Sequence, residues 1–257
     1  MIKKVIVISF FIIFTLIVIV VYQKLTLDNG KLRIVFCDVG QGDAIFIRTP
    51  GGQDLLIDGG PDRKVLDCLS KQMPFWDRTL ELVVSTHPHQ DHFAGLSEAA
   101  KFYNIESIVT EKLDNKSQSF AAFKNLILAK NIPQKDLYAG DKFKTTDGVR
   151  FFVLAPSREF IEVSSPNGTI GESGEFGSLV LLLSYGQFKA LFTSDAQAQQ
   201  IEEGIIREFL PVDVMQVPHH GSRTGLNEQL VSEVNPRLAV ISVGKNNSYG
   251  QPAPGGD

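Results

Sequence analysis

His87 and His89 stand two apart in the string Thr86-His87-Pro88-His89-Gln90-Asp91-His92. On extended backbone that spacing turns both imidazoles to one side, and Pro88 discourages helix before Asp91. Asp91 and His92 then round a corner and face a second point close to the first. Imidazole and carboxylate are the usual ligands of zinc and of borderline metals such as manganese. Two such ions about 3.5–4 Å apart polarise a phosphoryl or carbonyl group and supply hydroxide. All 5 histidines of the chain fall in two clusters, this one and His219-His220. Scattered surface histidines would not gather in that way.

The elements that must position these groups are legible from hydrophobic pattern. Residues 80–85 read as a buried strand and residues 91–103 as a helix, so the histidines lie where a strand ends and a helix begins, a common place for α/β sites. Strands at 32–37, 44–49 and 54–58 form a meander, joined by the glycine-containing link Asp38-Val39-Gly40-Gln41-Gly42-Asp43. Asp58, before Gly59-Gly60, is either a turn residue or a buried carboxylate that orients one of the histidines. Helices are expected at 62–73 and 117–130, with short strands at 107–110, 137–138, 142–144 and 149–154. Residues 158–177, rich in Gly, Ser, Pro and Glu, read as a mobile loop. A second meander, 178–184 and 188–193, stops at Ser194-Asp195. A helix over 196–209 follows, then a strand over 212–217 ending at His219-His220, a helix near 226–234 and a last strand at 238–243. This order is a two-half αββα sandwich whose strand-end ligands converge on one edge.

A length of 257 residues suits one sizeable domain or two small ones. The net charge of −4 and pI near 5.8 show no strongly basic nucleic-acid surface. Lys3 and Lys4 precede an apolar run from Val5 to Tyr22, at the short end for spanning a bilayer. No small-residue cleavage site follows, which favours an uncleaved anchor over a secretory signal. The chain then divides into an anchor at 1–24, a linker at 25–31 and a domain at 32–257. The two lysines place the N-terminus in the cytoplasm and the domain outside it, in a single-pass protein of the cytoplasmic membrane. Cys37 and Cys68 make no framework; both read as small buried hydrophobes without a role.

In that order these signals resemble the metallo-β-lactamase fold, and more narrowly the hydrolase domain of ComEC-type competence proteins of bacterial DNA uptake. The strings that carry the resemblance are Asp38-Val39-Gly40-Gln41-Gly42-Asp43, Asp58-Gly59-Gly60, the His87–His92 string, Thr193-Ser194-Asp195, His219-His220-Gly221-Ser222 and Ser242-Val243-Gly244-Lys245-Asn246-Asn247. The resemblance implies one or two divalent ions, zinc or manganese. It makes His87 and His89 ligands of one ion, Asp91 and His92 ligands of the other, and Asp195 the bridge between them. His219 becomes the last ligand and His220 a substrate contact. A third ligand of the first ion has no counterpart. The chain departs from the family at Glu175 and Gly177, where asparagines are usual, at Ser194 in place of Gly, and at Gln251 in place of His. It also stops at Asp257, where the family continues into a helix and a closing strand.

The expected activity is metal-dependent hydrolysis of a phosphodiester, as a phosphodiesterase or nuclease of DNA uptake, with a membrane DNA-translocation channel as partner. Asp91 would orient the attacking water or accept its proton. Arg223 either meets phosphate oxygens or is a solvated surface charge. Metal affinity is expected to fall below about pH 6 as imidazoles protonate. Hydrolysis of another ester or a lactam, or a metal-binding relative without turnover, are the alternatives.

Overall fold

Apolar side chains alternate between two different cores along each central strand. On β2 (Ile45–Arg48), Ile45 and Ile47 enter one core and Phe46 the other. On β3 (Asp54–Ile57) the same division separates Leu55 and Ile57 from Leu56. On β11 (Val180–Tyr185) it separates Leu181 and Leu183 from Val180 and Leu182. Both faces of both sheets are therefore covered, and a period of two sorts the residues into an inner core and two outer ones. The result is the expected αββα sandwich.

The computed structural model describes residues 2–170, 177–205 and 210–254. The first sheet runs β1 (Arg33–Phe36), β2, β3, β5 (Leu82–Ser85), β7 (Ile108–Thr110) and β8 (Gln134–Asp136), antiparallel to β3 and parallel beyond. Its outer face carries α2 (Lys64–Gln72), α3 (Gln90–Phe102) and α4 (Gln118–Ala129). The short strands β4 (Thr79–Leu80) and β6 (Asn104–Ile105) pair alongside. The second sheet runs β14 (Leu238–Val240), β13 (Val214–Gln216), β12 (Phe188–Phe192), β11, β10 (Arg150–Ala155) and β9 (Lys142–Lys144). It is covered by α6 (Ala198–Gly204) and α7 (Glu228–Val234).

Helix α1 (Ile2–Leu27) stands clear of these layers, with its apolar side chains exposed. It is long and apolar enough to cross a membrane, and it runs three residues into the stretch read as a linker. Arg48, buried, then ties Asp28 to Asp54 and Asp77. Burial nonetheless pushes the Asp54 carboxyl up to about 8, against the pull of Arg48.

Three local expectations need correction. Cys37 and Cys68 are not independent apolar residues: they form a disulfide across 31 residues, with Cα atoms 5.8 Å apart. The end of β1 crosses α2 there, a meeting that two isolated cysteines do not announce. Residues 158–164 are not loop but helix α5 (Arg158–Ser164), capped by the Ser157 hydroxyl accepting from the Phe160 amide. The strand expected at 137–138 lies earlier, as β8, while Leu137 and Tyr138 turn into the protein. Residues 171–176 of that loop and the helix end expected at 206–209 lie outside the described residues.

Candidate metal centre

The expected side chains converge at the carboxyl ends of the strands. Residues 86–89 leave β5 through a bend at His87-Pro88, His89 is extended, and α3 begins at Gln90, its first turn presenting Asp91 and His92. Asp195 follows β12, and His219-His220 follow β13 on a tight turn, Pro218–Gly221. His219 and His220 both have left-handed backbone, at φ 50° and 56°.

Asp195 faces two groups with its two oxygens. Its Oδ2 lies 3.6 Å from His87 Nε2 and 3.7 Å from His219 Nε2. Its Oδ1 lies 3.4 Å from both His92 Nε2 and His220 Nε2. His89 Nδ1 comes within 3.1 Å of His87 Nε2, so His87, His89 and Asp195 form one cluster able to hold an ion. Asp43, His92, Asp195 and His220 form another, with Asp91 Oδ2 3.4 Å from His220 Nε2. The paired histidines are thus divided. His220, not His219, meets the Asp91–His92 corner, and His219 stands on the His87 side.

The donor set fits a cation. Among the described residues, both oxygens of Asp43, Asp195 Oδ1, His92 Nε2 and His220 Nε2 are buried without a hydrogen-bond partner. Buried polar atoms are seldom left so, and the four residues are those of the second cluster. Asp43 has no role in the sequence reading. Its signal is a carboxylate closing a glycine-containing link before an apolar strand. Gly42, at φ 133°, lets that link approach α3: a Cβ there would collide with the Asp91 carbonyl oxygen.

A hydrogen-bonded layer lies behind the imidazoles. Asp58 is fully buried and left-handed, at φ 56°. It accepts from the Thr86 amide (2.8 Å), the Thr86 hydroxyl (2.6 Å) and His92 Nδ1 (2.8 Å). Donation from Nδ1 reserves Nε2 of His92, the nitrogen facing Asp195, as the one that would ligate an ion once its proton is displaced. Ser194, also left-handed at φ 46°, sets its hydroxyl 2.6 Å from that of Thr86 and within 3.5 Å of Nδ1 of both His87 and His92. Gln251 donates to the His219 carbonyl at 3.1 Å and accepts from Gln41 at 2.9 Å.

Charge divides the two clusters. Burial holds His87 below the ordinary imidazole range, with His92 adding to it. Burial, then His87 and His92, brings His89 down to about 4. Burial opposes the charged form at His92 and His220 as well, but carboxylates outweigh it there. Asp195 and Asp58 hold His92 well above its usual value, and Asp91, Asp195 and Asp43 lift His220 to about 9. Burial would raise Asp195 and Asp91, yet the facing imidazoles hold both carboxyls below the usual range. Burial lifts Asp43 to about 6. The groups face an open cleft of about 340 Å³ lined by Gln41, His89, Gln90, Asp91, Tyr249 and Gln251 beside Asp195 and the paired histidines. No lysine or arginine is among its described lining residues, and Arg223 is exposed outside it.

Comparison with known proteins agrees with this architecture. Recombination protein 2 of Haemophilus influenzae is 28% identical over 245 residues, 94% of this chain and 28% of that protein. ComE operon protein 3 of Bacillus subtilis is 25% identical over 244 residues, 88% of this chain and 30% of its own length. The chain thus spans less than a third of these relatives. Among solved structures, the metallo-beta-lactamase fold protein YhfI from Bacillus subtilis superposes with a TM-score of 0.52 at 14% identity, over 84% of this chain and 87% of its own. The sequence profile of the Metallo-beta-lactamase superfamily matches residues 37–245, and with the sandwich and its possible metal site in place, the chain belongs to that superfamily.

Proposed function

We propose that the chain is a membrane-anchored, metal-dependent hydrolase of phosphodiesters, a phosphodiesterase or nuclease serving DNA uptake. The observation that carries this reading is the placement of Asp195 between two ligand clusters at the floor of an open cleft. His87, His89, Asp195 and His219 would hold one divalent ion, zinc or manganese. Asp43, Asp91, His92, Asp195 and His220 would supply the ligands of a second. Such ions polarise a phosphoryl oxygen and lower the pKa of water toward about 7.

The chain's own residues do the rest. Asp58 fixes the tautomer of His92, and Asp91, at the cleft wall, orients the attacking water and takes its proton. Gln41, Gln90 and Gln251 offer amide donors to the phosphate oxygens. DNA as substrate is supported by relatives whose names refer to recombination and the ComE operon. A membrane DNA-translocation channel is the partner that such a role implies.

Residues 32–257 form the hydrolase domain and α1 the anchor. Lys3 and Lys4 support a cytoplasmic N-terminus, and the Cys37–Cys68 disulfide supports an oxidising location for the domain.

The absence of lysine and arginine from the described cleft lining favours testing substrates of lower charge beside DNA. The metal-reconstituted full chain is to be assayed on a DNA oligonucleotide, bis-nitrophenyl phosphate and a lactam, with metal content measured. Phosphodiester cleavage lost in the His87→Ala/His89→Ala variant is expected. Turnover of the lactam alone, or bound metal without turnover of any substrate, would overturn the phosphodiesterase reading.

A further inference from the structure

Phe75 and Trp76 project from the turn between α2 and β4, 51% and 44% exposed, although Met73 and Pro74 beside them are buried. Their rings meet edge to face at 5.0 Å, and a hydrogen bond from the Asp77 amide to the Pro74 carbonyl closes the turn. Two large aromatics left half exposed side by side forgo part of the burial that large apolar side chains favour. The turn is also tied to α1, because the Phe75 amide donates to the Gln23 side chain at 3.0 Å. Gln23 immediately follows the apolar run Val5–Tyr22. At 1.5 Å per residue that run covers about 27 Å, close to the ~30 Å hydrocarbon core of a bilayer.

We infer that Phe75 and Trp76 insert into the headgroup region of the bilayer that α1 crosses and seat the domain on the lipid surface. The inference rests on the anchor reading above. Aromatic rings favour this interfacial level, and exposed Tyr22 and Leu25 on the same end of α1 extend the surface. The domain does not swing on a free tether. Arg33 donates to the Thr26 carbonyl at 2.7 Å, and Arg48 binds Asp28, just past the end of α1, at 2.8 Å, so the end of the helix is tied to the sandwich at more than one point. Strands β1, β3 and β5 lead from this end toward the links that bear Asp43, Asp58 and His87, so the cleft opens away from the bilayer.

Trp76 is the only tryptophan of the chain, which makes its fluorescence a direct reporter. The full chain is to be reconstituted in phosphatidylcholine vesicles, with insertion checked by flotation after alkaline extraction. Emission shifted to the blue, shielded from aqueous iodide and quenched by lipid brominated near the headgroup is the expected result. An indole open to iodide and untouched by brominated lipid, in a chain that floats, overturns the seating and leaves the anchor intact. An indole shielded from both quenchers places a second copy on the aromatic pair and also overturns it. A chain that does not float removes the anchor reading and this inference with it.

Discussion

Replacing Asp58 by Asn tests whether the layer behind the imidazoles governs the metal centre. Asn tolerates the left-handed backbone at this position better than most residues do, so the shape of the turn survives. The hydrogen bonding does not. With the carbonyl of the new amide facing the Thr86 N–H in place of Oδ1, its NH₂ falls where Oδ2 now accepts from His92 Nδ1. Two donors then oppose each other, and His92 is driven to the tautomer with its proton on Nε2. In the neutral ring that proton then sits on the nitrogen facing Asp195, 3.4 Å away, which an ion would need as its ligand. Loss of such a supporting carboxylate weakens metal affinity about 10–100-fold, or about 1.4–2.7 kcal/mol. Competition against a chelator of known affinity measures this, with thermal unfolding of the metal-free protein as the control for folding. An affinity within about twofold of the parent, in a variant that folds and in which His92→Ala is strongly impaired, would refute the tautomer argument.

Metal uptake should also be coupled to proton release. In the metal-free protein His220 titrates near 9 and His92 well above its usual value, so an ion entering that cluster displaces their protons. Affinity there should rise with pH through about 9, whereas the neutral His87–His89 pair holds its ion at lower pH; calorimetry in buffers of different ionisation enthalpy reads the protons released. The sign reverses for folding. A raised folded-state value contributes stability in full below 6.5 and loses it as pH climbs through about 9, so the metal-free melting temperature should fall across that window. Replacing both Cys37 and Cys68 with Ala should cost about 3–4 kcal/mol, from the loop of 31 residues that the disulfide closes; urea unfolding measures it. Gly95→Ala would drive a Cβ into the Gly59 carbonyl oxygen, pushing α3 off the Asp58 turn. A loss of about 3 kcal/mol or more and weakened metal binding are expected, checked by unfolding and metal content.

The layers are legible in the sequence because alternation is a local signal. Ile45, Phe46 and Ile47 announce a strand with two buried faces before any partner strand is known. The residues around His87 are legible for a similar reason, since a short His-Pro-His link followed at once by a helix keeps its directions within seven residues of chain. Residues 158–164 are hidden by composition: Ser, Glu and a following Pro-Asn-Gly turn point to loop, yet Ser157 caps a helix whose Ile161 is buried. The Cys37–Cys68 bond is hidden because proximity, not spacing, decides it.

The division of His219 and His220 lies beyond local reasoning altogether. Adjacent residues on a strand point to opposite faces and on a helix sit about 100° apart, and neither rule describes this turn. Two successive left-handed residues, held by the His219 amide on the Ser194 carbonyl at 2.8 Å, aim the rings at different oxygens of one carboxylate. The His220 ring is then fixed by its Nδ1, 2.8 Å from the Ser242 carbonyl, which turns Nε2 toward Asp91 and Asp195. That arrangement makes Asp195 the junction of the site: one oxygen serves His87 and His219, the other His92 and His220. Its loss should disturb both clusters together, whereas losing His220 should disturb chiefly one. A pair of variants, Asp195→Asn and His220→Ala, separates a shared bridge from two independent sites, because independent sites would leave the His87–His89 cluster loaded in both.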